Sequence, residues 1–100
     1  KSFIGLDNLT RLIFSRNPIK IFEKNVFNHL IILSDLFLEE LNIQNLEAGI
    51  FDNMPFLTEI RLNDNFLSNL KNYTFNNIPN LNSIDLESNQ IAFIEEFTFY

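Results

Sequence analysis

The sequence predicts a solenoid of stacked turns, and three observations predict it. The chain matches itself at one offset, 24 residues, with no insertion or deletion needed anywhere. Apolar residues recur at fixed phases of that period, and asparagine recurs at one phase between them. Within each period two apolar residues lie two positions apart, the spacing of one face of an extended segment.

The first position of the unit holds Leu9, Leu33, Leu57 and Leu81. The fourth holds Leu12, Leu36, Ile60 and Ile84, and the sixth holds Phe14, Leu38, Leu62 and Leu86. Ile19, Ile43, Leu67 and Ile91 share the eleventh phase, and Phe22, Leu46, Leu70 and Ile94 the fourteenth. Phe3, Phe27, Phe51, Phe75 and Phe99 fall at one phase, and Leu6, Leu30, Met54 and Ile78 at another. Short strands are therefore predicted near Arg11–Phe14, Asp35–Leu38, Glu59–Leu62 and Ser83–Leu86. Residues 33–46 also carry helical spacing through Leu33, Leu36, Phe37 and Leu41. The same phase one unit later reads Thr58-Glu59-Ile60-Arg61-Leu62, which alternates, and that decides for strand.

Side by side, these strands make a parallel sheet spaced by about 4.8 Å, with the rest of each turn returning behind it. No turn buries its own apolar set; its neighbours do. The phenylalanine column is expected to stack along the outer side. The pattern L-x-x-L-x-L-x-x-N-x-L resembles the leucine-rich repeat family, in particular the typical 24-residue class of extracellular proteins such as Toll-like receptor and Slit-like ectodomains. That resemblance implies an α/β solenoid. It is a right-handed coil with a short parallel concave sheet, one strand per repeat, and an irregular or short-helical convex side. It divides the chain into full repeats at 9–32, 33–56 and 57–80, a partial repeat at 81–100, and the tail of an earlier one at 1–8. No caps are evident, so a fragment of a longer array is expected, with self-association through uncapped ends.

In the family the ninth-position asparagine bonds backbone of its own and adjacent turns. Asn17, Asn65 and Asn89 fit, whereas Leu41 occupies that place in the second unit. Leucine cannot pair those groups, and an orphaned one costs about 1–3 kcal/mol. A local defect or a different bend is expected there.

The composition narrows function. Hydrophobic content of 46% argues for a folded chain, and a net charge of −6 argues against nucleic acid or an anionic membrane as partner. The longest apolar run, Leu30-Ile31-Ile32-Leu33, is far below the roughly 20 residues of a membrane span. With no cysteine there is no disulfide and no thiolate chemistry. The single histidine, His29, falls in a return segment, and the Glu39–Glu40 pair points apart as neighbours on a strand do. No catalytic residue, cofactor or metal site is expected, and the chain does not read as an enzyme. Carboxylates of neighbouring rows lack the Gly-containing loop of alternating ligands that calcium sites use.

Recognition is instead expected on the concave face. Its rows are Arg11, Asp35, Glu59, Ser83; then Ile13, Phe37, Arg61, Asp85; then Ser15, Glu39, Asn63, Glu87; beside them lie Arg16, Glu40, Asp64 and Ser88. Seven acids against three arginines give this strip −4 of the total −6. Ile13 and Phe37 are read as exposed neighbours ringed by charge, the composition of an interface anchor. The reading is a protein-interaction module in a receptor or secreted ectodomain, taking a protein ligand of basic character. A spacer or adhesion array and an intracellular scaffold are the alternatives. Two sequons, at Asn8 and Asn72, suit an extracellular or cell-surface glycoprotein. Sixteen asparagines and ten serine or threonine positions give about 1.6 such triplets by chance, so localisation rests mainly on the resemblance.

Overall fold

The computed structural model describes residues 10–13, 32–52, 54–75, 77–96 and 98–99. Four three-residue strands form its main sheet: β1 (Arg11–Ile13), β2 (Asp35–Phe37), β3 (Glu59–Arg61) and β5 (Ser83–Asp85). All pair in parallel, in the order β1-β2-β3-β5. Leu12, Leu36, Ile60 and Ile84 lie opposite one another, so the register advances by one 24-residue unit per strand. The periodicity had placed these four in a single file, and they form one.

The stacking has a repeated backbone signature. Thr10 O accepts from the amides of Ser34 and Asp35; Ser34 O accepts from Thr58 and Glu59; Thr58 O accepts from Asn82 and Ser83. The hydroxyls of Ser34 and Thr58 donate to the same carbonyls, each at 3.1 Å. A hydroxyl at the second position thus ties each of these turns to the one before it.

Behind the sheet, Leu33, Leu36, Leu38, Ile43, Leu46, Phe51, Met54, Leu57, Ile60, Leu62, Leu67 and Leu70 form one core. Phe51 stacks on Phe75 at 5.5 Å between ring centroids, and Phe75 on Phe99 at 5.2 Å. Such stacked pairs contribute roughly 0.5–1.5 kcal/mol beyond the area they bury. Phe3, Phe27, Leu6, Leu9 and Leu30 lie outside the described residues.

Of the two expectations for the return side, mostly irregular or short-helical, the irregular one is found and the helical part of the implied α/β class is not: no helix occurs among the described residues. A second parallel pair does, β4 (Asn69–Leu70) with β6 (Phe93–Ile94), so the third and fourth units carry two strands each. The local reason lies at the seventeenth position. Gly49 and Tyr73 occupy it with φ of 74° and 63°, a left-handed conformation that ends any helical turn. What remains are isolated turns, such as Ile50 N to Glu47 O and Asp52 N to Gly49 O.

Candidate functional site

The asparagine ladder fixes how each strand ends. Asn65, 3% exposed, accepts from the amides of Leu41 (2.9 Å) and Ile43 (3.0 Å) of the preceding turn. Its side-chain nitrogen donates to Leu38 O and Leu62 O. Asn89 repeats this with Leu67 N, Leu62 O and Leu86 O. Each asparagine therefore serves its own turn and the one before it. Leu41, fully buried, leaves its own turn satisfied because Asn65 supplies the partner. In its own turn, the carbonyl that a side chain at 41 would have served, Leu38 O, accepts from Asn65 instead; the preceding turn at this point lies outside the described residues, as does Asn17. The expected different bend is present: Asn42 takes φ of 60°, while Phe66 and Gln90 at the same phase do not. The eighth position is left-handed in all three turns, through Glu40, Asp64 and Ser88.

That bend sets the boundary of the outward sheet face. β1 and β2 place Arg11 beside Asp35 and Ile13 beside Phe37; β3 and β5 place Glu59 beside Ser83 and Arg61 beside Asp85. The first two rows read from the alternation are therefore in register, whereas the rows that begin at Ser15 and Arg16 start outside the described residues. Ile13 is 60% exposed. Phe37 is not exposed as expected: only 7% of it is accessible. The guanidinium carbon of Arg61 lies 4.2 Å from its ring centroid and that of Arg11 5.3 Å. The arginines reach in from the two flanking strands, each with its guanidinium carbon over the ring.

Each arginine is also held by carboxylates. Arg11 Nε donates to Asp35 Oδ2 at 3.1 Å. Arg61 Nε donates to Glu59 Oε2 at 2.7 Å, and its Nη1 lies 3.9 Å from Glu39 Oε2. The hydrogen bond to Glu59 is the main influence raising the Arg61 pKa; Glu59, Glu39 and Asp85 add their charge, against a lesser opposing effect of desolvation. Arg61 is accordingly a permanent cation. The face is most acidic beyond it, where Asp64, Asp85 and Glu87 lie. Asp85 Oδ1 accepts from the Glu87 amide at 3.0 Å, and Asp64 Oδ2 accepts from Asn63 Nδ2 at 2.9 Å. Asn63 Oδ1 is buried without a partner among the described residues.

Among the described residues no group of three or more His, Cys, Asp or Glu is arranged to hold a metal ion. No helix there is long and apolar enough to cross a membrane. Asn72 is partly buried on the return side, its backbone N–H donating to Glu95 Oε1 at 2.6 Å, and Thr74 of its sequon is buried. Asn8, Ser15, Arg16 and His29 lie outside the described residues.

Comparison with known families accords with this geometry. The BspA type leucine rich repeat region matches residues 1–100, in six copies. The chain belongs to that family. Leucine-rich repeat is thus the architecture that the motif announced, but the typical class of Toll-like receptor and Slit-like ectodomains is not the family that matches. The strand register of this leucine-rich repeat advances by 24 residues, whatever the family's own unit. Comparison with the curated proteins gives no match. Membership supports a repeat module for protein interaction.

Proposed function

We propose that this leucine-rich repeat segment recognises a basic protein through the outward face of its main sheet, non-covalently and without catalysis. One observation carries the reading. An aromatic ring clasped by two arginines lies beside a surplus of carboxylates, on a face whose strands are held in register by buried backbone bonds. Arginine and aromatic residues dominate interface hot spots, and a carboxylate field speeds the approach of a basic partner. The contact set comprises Arg11, Ile13, Asp35, Phe37, Glu39, Glu59, Arg61, Asp85 and Glu87.

We place the protein at the cell surface or outside the cell, as part of a ligand-binding ectodomain. Support comes from the frequent occurrence of BspA-type repeats in bacterial surface proteins. Reversing Asp85 and Glu87 to lysine in the full protein tests recognition. Affinity for a basic partner should fall by about tenfold or more, with a steep dependence on salt in the unaltered protein. Unchanged affinity in a folded double variant would remove the sheet face from the reading. Mass analysis of the native protein for sugar on Asn72 tests its placement.

A further inference from the structure

Arg61 is bound as a ligand would be. The ring of Phe37 supplies a flat wall 4.2 Å from the guanidinium carbon, and Glu59 supplies a charge-assisted hydrogen bond of 2.7 Å. Glu39, from the turn that also carries Phe37, adds a second carboxylate at 3.9 Å from Nη1. A wall with carboxylates at its edge is the complement of a planar cation whose donors lie in its plane, and lysine's compact ammonium matches it less well. The wall has a support besides Arg61: the guanidinium carbon of Arg11, from β1, lies 5.3 Å from the Phe37 ring centroid. Arg61 itself is only lightly held. Its side chain is 42% exposed, and ion pairs that water reaches contribute little net stability. The site is thus well built and its occupant inexpensive to displace.

We propose that Phe37, Glu39 and Glu59 form a guanidinium-binding site that the chain's own Arg61 fills when no partner is present. An arginine side chain of a basic partner protein takes that place on binding. The inference rests on the reading of the sheet face as the contact surface. Arg61 then acts as an internal competitor that sets specificity: a partner must present an arginine able to displace it. The freed Arg61 swings toward Asp85, its register partner on β5, so that its charge stays compensated.

The test uses the full chain, with methylguanidinium as probe and methylammonium as the contrast. In Arg61→Ala the Phe37 ring resonances should shift saturably with methylguanidinium, with affinity about tenfold above that of the unaltered chain. Methylammonium should bind more weakly, and adding Glu59→Gln should abolish the gain. A folded Arg61→Ala chain whose Phe37 resonances ignore methylguanidinium overturns the proposal, as does equal affinity in the unaltered chain. Should Arg61→Ala fold poorly, Arg61→Gln is titrated in the same way. The charge reversals at Asp85 and Glu87 test recognition separately. If they weaken partner binding while the probe fails, the face stands and the arginine site falls.

Discussion

The second and third units and the fourth carry the same residue types at the same positions, and their surroundings differ. Leu36 and Ile60 are wholly buried, whereas Ile84 is partly open. Leu46 and Leu70 are 3% and 1% exposed; Ile94, at the same phase, is 54% exposed. Phe51 and Phe75 are sealed, while Phe99 is half open. Composition does not separate these residues. What separates them is whether another turn lies against them, so burial in this fold is a property of the neighbouring turn.

The comparison predicts a graded set of responses. Ile60→Ala should cost the most, about 4 kcal/mol, because the cavity has a turn packed on either side. In the 100-residue segment taken by itself, where Ile84 is partly open, Ile84→Ala should cost less than half of that, as read by urea denaturation; equal costs would break the comparison. Asn65→Ala comes next, at about 3 kcal/mol, since it leaves the Leu41 and Ile43 amides without partners inside the core. Asn89→Ala should cost about half as much, because water reaches the groups it serves. Phe75→Leu removes two ring contacts and Phe99→Leu one, so losses of about 2 and about 1 kcal/mol should appear in the same assay. Asp35→Asn is the smallest, about 0.5 kcal/mol and fading with salt, because its Arg11 partner is 59% exposed.

How much of this was legible beforehand follows from which interactions are periodic. The file of Leu12, Leu36, Ile60 and Ile84 was readable because each faces its own counterpart, and a strict repeat is its direct record. The role of Asn65 and Asn89 was readable through the resemblance to the leucine-rich repeat family, which the recurring asparagine helps to carry. The β4–β6 pairing was not, because it holds in two units and shrinks to one bridging residue, Asn45, in the second. Nor was the cover over Phe37. Alternation tells which way a side chain leaves the strand, and Phe37 does point outward. Among the described residues, Arg11 and Arg61, at positions where the period repeats no residue type, lie over that ring. The site therefore lies largely in what the period does not contain.

The hydroxyl ties along the second position carry a further consequence. Thr58 meets Ser34 through the same bond by which Ser34 meets Thr10. A genetic event that duplicates or excises one whole unit would rejoin compatible edges, leaving the bonds on both sides intact. Losing a single residue inside a strand would instead turn its inner residues outward. Descendants of such a gene can lengthen or shorten in steps of one turn while the turns themselves drift, and new contact surfaces can arise without a new fold.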